Sequence, residues 1–212
     1  MIPEEKTNYL QDMANRIRLS SLEMTTKAGS GHPTTAMSAA EILSVLYFHQ
    51  MVYDPENPNS LEGDDFVLSK GHGSPGLYAA MDLAGVLNAV DVMSLREFNS
   101  PLEGHPVPRV PGVRIGTGSL GQGLSVGLGL AKAMKLDGID RRVYVLLGDG
   151  EVAEGNVWEA INVAPHMGLD NVVGILDVNR LGQSEPTIYE WDTDSYRAKL
   201  EAFGWYPQVV DG

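Results

Sequence analysis

Apolar residues recur every three to four positions in two segments near the amino terminus, a spacing that places them on one face of a helix. The first stripe covers residues 10–28 and stops at residues 29–33, where glycine permits left-handed backbone and proline cannot continue a helix. The second stripe covers residues 36–50. The pattern therefore predicts two helices joined by a short glycine-rich turn.

The middle of the chain alternates between regular and irregular patterns. Residues 66–68 form a short apolar run that predicts a buried strand, and a helix is predicted near residues 77–84. Residues 98–118 contain four prolines and little periodicity, which predicts a long loop of the kind that is usually functional or disordered. In the helix predicted at 121–136, small residues recur every four positions, so we expect that face to lie close against other backbone.

The second half has the pattern of an α/β protein. Apolar runs at 142–147, 171–176 and 206–210 predict strands, separated by helices at 154–167 and 190–203. Continuous apolar strands between helices indicate a parallel sheet that is buried on both faces. Because no repeat, low-complexity tract or linker is visible, we predict one domain over residues 1–212: a doubly wound parallel sheet with helices on both faces.

Composition excludes several classes of function. The 28 acidic and 15 basic residues give a formal charge of −13, which argues against nucleic acid or an anionic membrane as a partner. The absence of cysteine excludes disulfide scaffolds, thiolate zinc sites and cysteine nucleophiles. No apolar run reaches the roughly 18 residues of a membrane span. These features fit a cytoplasmic protein best.

Polar residues follow two of the predicted strands directly. Asp149 comes after the strand at 142–147, and Asn179 comes after the strand at 171–176. Ligands of parallel sheets bind beyond the carboxyl ends of the strands, and oxygen ligands favour hard cations such as Mg²⁺ or Ca²⁺. A carboxylate, an amide oxygen and a nearby carbonyl would leave half of an octahedral shell for phosphate and water. By themselves the residues 148–150 (GDG) are more typical of a simple turn than of a ligand site.

Two other glycine and histidine patterns have simpler interpretations. Residues 116–121 fit the dinucleotide-binding pattern G-x-G-x-x-G, but no clear strand precedes them and Pro111 is unfavourable in a central strand. His49 and His166 lie in predicted helices, and we interpret both as structural.

Six motifs occur in an order that is far more specific than any one of them. They are 29–33 (GSGHP), 68–73 (LSKGHG), 104–106 (GHP), 116–123 (GTGSLGQG), 148–150 (GDG) with 154–155 (EG) and 158–160 (WEA), and 177–184 (DVNRLGQS). GDG followed about thirty residues later by asparagine resembles the fingerprint of thiamine diphosphate enzymes. The whole set resembles the amino-terminal, diphosphate-binding part of transketolase, closer to its animal-type branch.

The resemblance implies the cofactors and the site. It implies thiamine diphosphate with Mg²⁺, Ca²⁺ or Mn²⁺, and two-carbon ketol transfer between sugar phosphates. The implied metal ligands are Asp149, Asn179 and the carbonyl of Leu181; the implied cofactor contacts are Thr35, His72, Gly118, Ser119, Leu120, Gly150, Asn179 and Gln183; the implied catalytic residues are His32, His105 and Glu154, with Glu154 in an acidic network between paired sites.

The resemblance also implies a partner. Transketolases complete each site with a second domain that supplies the glutamate activating the aminopyrimidine ring, and this sequence ends at residue 212 without it. We therefore expect a split or truncated form that needs a complementary carboxyl-terminal subunit, and no activity from the chain alone. The eight glycines in residues 112–138 favour an interface, so we expect oligomers.

Other functions stay open from the sequence. The component chains of a dihydroxyacetone synthase-like, deoxyxylulose phosphate synthase-like or 2-oxo acid dehydrogenase enzyme share much of the pattern. The alternative from a different class is a catalytically inactive, partner-binding paralogue.

Overall fold

The computed structural model describes residues 2–87 and 90–211. The chain packs as two compact units. The first comprises Met1–Asp64 and Gly71–Gly118, and the second comprises Asp65–Lys70 and Ser119–Gly212. A single domain over residues 1–212 remains a prediction from the sequence.

The first unit is helical. Helices α1 (Glu4–Ala28), α2 (Pro33–Val45) and α3 (Ser74–Leu83) pack against one another, and a π-helical turn at Leu46–Gln50 extends α2. Helix α1 ends at Gly29, whose φ of 61° is the left-handed conformation that glycine adopts at low cost. The predicted stripe is the buried face of α1, which confirms the periodicity. Its members are Leu10, Met13, Ala14, Ile17, Ser21 and Met24.

The long loop at 98–118 also belongs to the first unit. It consists of turns without helix or strand, as its prolines predict. Two of its side chains, Leu102 and Val110, are fully buried, so the loop contributes to the core. The Tyr78 hydroxyl of α3 donates to the Glu103 carbonyl at 3.0 Å, which fixes the loop against that helix.

The second unit is a three-stranded parallel sheet with three helices. Strands β1 (Asp65–Leu68), β2 (Val143–Gly148) and β3 (Val172–Asp177) lie in the order β1-β2-β3. Its helices are α4 (Gln122–Asp137), α5 (Gly155–His166) and α6 (Thr193–Ala202). In the register of the sheet Gly148 is opposite Asp177, so the carboxyl ends of β2 and β3 coincide.

The alternate residues of β2 explain why its sequence is continuously apolar. Val143, Val145 and Leu147 pack in one cluster with residues of α4, α5 and α6. Tyr144 and Leu146 point to the opposite face and are also buried. The predicted α/β fold with a parallel sheet is therefore confirmed. Strands β1 and β2 are buried throughout, whereas most residues of β3 are only half-buried.

The small residues of α4 pack against the sheet of their own unit. A Cβ atom added at Gly123 would lie 2.6 Å from the Ser69 Cα atom, and one added at Gly127 would lie 2.5 Å from a Val145 methyl group. The predicted close approach to other backbone is correct for Gly123. Close packing within this chain therefore explains why both positions are glycine, so neither supports the predicted partner interface.

The strand predicted at 206–210 is wrong. These residues are neither strand nor helix, and most are exposed. A strand needs a neighbour for its backbone hydrogen bonds, and none pairs with this segment in the described part of the chain. Trp205 anchors the segment instead, with its indole N–H donating to the Ile161 carbonyl at 2.8 Å.

None of the described helices combines the length and apolar character needed to cross a membrane.

Candidate functional site at the carboxyl ends of the strands

Asp149 lies where β2 ends, in direct contact with the residues that follow β3. Its backbone N–H donates to the Asp177 carbonyl at 3.2 Å. Its carboxylate accepts hydrogen bonds from the Arg180 N–H and the Thr187 hydroxyl, both at 2.7 Å, and from the Gly150 N–H at 3.0 Å. The two strand ends are therefore adjacent and turned toward each other, as the sequence predicts.

The segment after β3 folds into a small hairpin around the Asp149 carboxylate. Leu181 and Pro186 form an isolated antiparallel bridge, and the Thr187 N–H donates to the Arg180 carbonyl at 3.0 Å. Asn179 begins this hairpin, with its side-chain oxygen accepting from the Leu181 N–H at 3.0 Å. An amide oxygen has two lone pairs, so accepting a hydrogen bond does not prevent it from ligating a cation.

The oxygens of this junction suit a hard cation. Asp149 is 3% exposed, and the three groups that donate hydrogen bonds to its carboxylate are all neutral. The negative charge of this carboxylate would stabilise a divalent ion beside it. The Leu181 carbonyl oxygen lies 3.6 Å from the position of a Cβ at Gly150. Within residues 2–87 and 90–211 no three histidine or acidic side chains form a metal cluster, so an ion here needs the mixed set.

A cavity of about 380 Å³ adjoins the junction. Asp149 and Gly150 line one side of it, and Gln183 and Thr187 of the hairpin line another. Tyr196 of α6 closes the wall, and burial raises the pKa of its phenol to about 12, with the Asp149 charge acting in the same direction. Three of the predicted site residues thus share this cavity.

Two buried charged side chains connect the ends of all three strands. Lys70, two residues after β1, forms an ion pair with Asp177 at the end of β3, and both are buried. The Lys70 stem passes over β2, 3.3 Å from where a Cβ at Gly148 would lie, so a side chain there would crowd the lysine.

A second buried acid, Glu151, lies close to this ion pair. Glu151 is 2% exposed, and burial raises its pKa although its hydrogen-bond donors and the Lys70 charge act in the opposite direction.

In the first unit, the three predicted loop histidines come together. His32 caps the amino terminus of α2, and its ring lies 5.3 Å from that of His72 in an edge-on contact. The His105 ring lies against Gly118, where a Cβ would be 2.9 Å from the ring. Gly118 has a φ of 143°, so this position suits glycine both in conformation and in space.

His105 is held by α3 and lies close to Arg96 and His32. The Tyr78 hydroxyl donates to the His105 carbonyl at 3.3 Å, and the Ser74 hydroxyl donates to the Gly104 carbonyl at 2.8 Å. Burial of the imidazole lowers the pKa of His105, and the Arg96 charge and the nearby His32 ring act in the same direction. This arrangement favours the neutral imidazole, which can accept a proton.

A buried hydroxyl near these histidines has no partner of its own. Thr117 Oγ1 accepts and donates no hydrogen bond within the described residues. It lies beside the turn at Gly71–Gly73, where a Cβ at Gly71 would approach it to 2.7 Å. Buried polar atoms are usually satisfied, so this hydroxyl is available to a ligand or an ordered water molecule.

The remaining predicted residues occupy the ends of helices. Thr35 lies half-buried in the first turn of α2, and Glu154 is the exposed residue that precedes α5. Ser119 and Leu120 form the turn before α4. His49 and His166 are exposed on helical segments, away from any contact that suggests a ligand.

Four residues of this region were not predicted from the sequence: Lys70, Asp177, Glu151 and Thr187. For the first two a signal exists, because each is a charged residue at the carboxyl end of a strand, where parallel sheets bind ligands. Glu151 carried a weaker signal as the second acid after β2. Nothing in the sequence distinguishes Thr187, whose role depends on the fold of the hairpin.

Comparisons with known proteins place the chain in one family. The family described as "Transketolase, thiamine diphosphate binding domain" matches residues 9–212. The chain is 50% identical to human transketolase over 210 residues, which cover 99% of this chain and 34% of that protein. It is 42% identical over 207 residues to one subunit of the apulose-4-phosphate transketolase of Phocaeicola vulgatus, covering 98% of this chain and 73% of that polypeptide.

Solved structures give the same result. The chain is similar to transketolase from Campylobacter jejuni, with a TM-score of 0.84 and 37% identity, over 92% of this chain and 32% of that one. Transketolase from Leishmania mexicana matches with a TM-score of 0.84 and 32% identity. The chain thus spans about a third of the length of the animal transketolases that it matches.

Proposed function

The chain belongs to the transketolase family, as its thiamine diphosphate-binding domain, and we propose that it forms the diphosphate-binding half of a transketolase active site. The observation that carries this proposal is the junction at the ends of β2 and β3. There the Asp149 carboxylate accepts from the Arg180 N–H, and the neighbouring Asn179 amide oxygen accepts from the Leu181 N–H. The Leu181 carbonyl oxygen lies 3.6 Å from the position of a Cβ at Gly150.

Metal binding is the first task of this junction. Asp149, Asn179 and Leu181 would hold Mg²⁺, or Ca²⁺ or Mn²⁺ in its place, because these oxygens are the ligands that hard cations prefer. Gly150 and Gln183 would face the cofactor, which is supported by their place in the cavity wall. When bound, thiamine diphosphate supplies the nucleophile and electron sink for cleaving and re-forming a carbon–carbon bond.

The histidine group would handle protons and orient the sugar. His72 would contact the diphosphate, with Thr35 nearby along the cofactor, and His32 and His105 would face the substrate. A histidine near neutrality can accept, donate or relay protons, and the lowered pKa of His105 keeps its imidazole in the neutral form. Ser119 and Leu120 would lie beside the cofactor ring, next to Gly118.

The reaction would be transfer of a two-carbon ketol unit from a ketose phosphate to an aldose phosphate. It would need a complementary half that binds the aminopyrimidine ring, since the chain spans only a third of the animal enzymes. The similarity to one subunit of the Phocaeicola vulgatus enzyme supports a separate chain as that half. Glu154, exposed before α5, is available for an acidic contact across such an interface.

Calorimetry with thiamine diphosphate and Mg²⁺ tests the proposal, with the chain alone and with a candidate complementary half. We expect Mg²⁺-dependent binding in the combined sample, together with ketol transfer. Asp149→Ala should weaken binding at least about 100-fold, because even residues that only support metal ligands are worth 10–100-fold. Asp12→Ala, at an exposed position on α1, is the matched control.

Two results would contradict the proposal. If Asp149→Ala bound the cofactor as tightly as the unmodified chain, the junction would not be the metal site. If the chain bound a protein partner but ignored the cofactor in every combination, a non-catalytic role would be the better explanation.

A further inference from the structure

Glu151 is a buried acid that the proposed chemistry does not use. It lies in the 3₁₀ turn Glu151–Ala153, two residues after Asp149, and is 2% exposed. Burying a carboxylate is unfavourable unless hydrogen bonds replace those lost from water, so its presence calls for specific partners. The structure provides three of them, all within the second unit.

The three partners come from three separate segments of the chain. Oε1 of Glu151 accepts from the Ser69 hydroxyl at 2.5 Å and from the Gly121 N–H at 2.7 Å. Oε2 accepts from the Gly148 N–H at 3.2 Å. One carboxylate therefore joins the end of β1, the end of β2 and the residue that precedes α4.

Gly121 has little freedom to find another position. Its φ of 86° is left-handed, and a Cβ there would lie 2.0 Å from the Asn156 side-chain oxygen. Its N–H is one of the free donors at the start of α4, which an acceptor must satisfy when the helix end is buried. Glu151 is that acceptor, so it sets where the Ser119–Leu120 turn enters the helix.

We propose that Glu151 is a positioning residue that holds the Ser119–Gly121 turn at a set distance from the Gly148–Asp149 strand end. The inference rests on the proposed function, in which that turn lies beside the cofactor ring and Asp149 binds the metal and diphosphate. Glu151 would therefore align the ring end of the site with its diphosphate end. It would touch neither cofactor nor substrate.

Glu151→Gln is the direct test, in the chain combined with its complementary half. Glutamine has the same shape but only one acceptor oxygen, so its amide N–H would face one of the three donors. Two probes separate the two ends of the site: Mg²⁺ with pyrophosphate engages only the diphosphate end, whereas Mg²⁺ with thiamine diphosphate also needs the ring end. Glu201→Gln, at an exposed position on α6, is the control.

We expect Glu151→Gln to weaken thiamine diphosphate binding about tenfold or more, with Mg²⁺–pyrophosphate affinity changed less than about twofold. Equal losses for the two probes, or no loss for either, would overturn the inference. If the unmodified protein bound neither probe, the proposed function itself would fail, and the inference with it.

Ser69→Ala provides a second variant in case Glu151→Gln does not fold. It removes one donor and leaves the carboxylate bonded to Gly121 and Gly148. We expect a smaller loss in the same direction, restricted to thiamine diphosphate. An unchanged ratio of the two affinities in this folded variant would also overturn the inference.

Discussion

The Thr187 hydroxyl donates a 2.7 Å hydrogen bond to Oδ2 of Asp149, the carboxylate oxygen that also accepts the Arg180 N–H. Thr187 is 8% exposed, and its side chain is also hydrogen-bonded to Tyr196 of α6. The orientation of the proposed metal ligand therefore depends on a hairpin and a helix that follow it in the sequence.

Thr187→Val should weaken Mg²⁺-dependent cofactor binding about tenfold, because groups that orient metal ligands are worth 10–100-fold in affinity. Valine has the shape of threonine but cannot donate to Asp149. Thr187→Ser keeps the hydroxyl and should retain most of the affinity. Calorimetry at varied Mg²⁺ concentration measures the effect, and equal affinities for the two variants would contradict it.

Lys70→Met should destabilise the protein by about 3–5 kcal/mol, because it leaves the buried Asp177 carboxylate without its ion pair. Methionine retains an unbranched side chain that can pass over Gly148. Adding Asp177→Asn removes the orphaned charge, so the double variant should recover part of the loss. Urea unfolding measures both; a double variant no more stable than Lys70→Met would show that the pair is not coupled.

Gly123→Ala should destabilise the protein by about 1–3 kcal/mol, although alanine favours helix by about 1 kcal/mol. The added Cβ would lie 2.6 Å from the Ser69 Cα atom, and the backbone cannot move away cheaply. Gly129→Ala in the same helix is the matched control, because nothing lies within 4 Å of its Cβ position. That change should stabilise by up to about 1 kcal/mol. Thermal and urea unfolding compare the two, and equal effects would contradict the packing.

Arg96→Gln should raise the pKa of His105 toward its ordinary value of 6.5 without reaching it, since burial is the larger cause of the lowering. A proton titration of the imidazole by NMR over about pH 5 to 8 measures this. Arg16→Gln, which removes a charge that does not act on His105, is the control. An unchanged His105 titration in Arg96→Gln would contradict the assignment.

The lowered pKa of His105 also makes the stability of the protein depend on pH. A histidine with a lower pKa in the folded state binds its proton more readily when unfolded, so acid favours unfolding. The contribution of His105 is fully present above pH 6.5 and is lost as the pH falls through the folded-state pKa. In Arg96→Gln this loss should be smaller, which unfolding free energies on both sides of that range would detect.

The sequence by itself predicted the elements and the strand-end residues. Hydrophobic spacing identified α1, α2 and the strands, because burial of one face or both imposes a period on the chain. Asp149 and Asn179 could be assigned to one junction from the sequence pattern, since parallel strands end at a common edge. The failure at 206–210 shows the limit of that reasoning: an apolar run is a strand only where a neighbour accepts its hydrogen bonds.

The partners of the buried polar groups, in contrast, depend on the tertiary structure. Glu151 reaches Ser69 across 82 positions of sequence, and Lys70 reaches Asp177 across 107. Local patterns cannot encode such contacts, because they depend on the sheet order and on the close packing of α4 through Gly123. The sequence determined which residues stand at the edge of the sheet, and the fold determined how hydrogen bonds and buried charge orient them there.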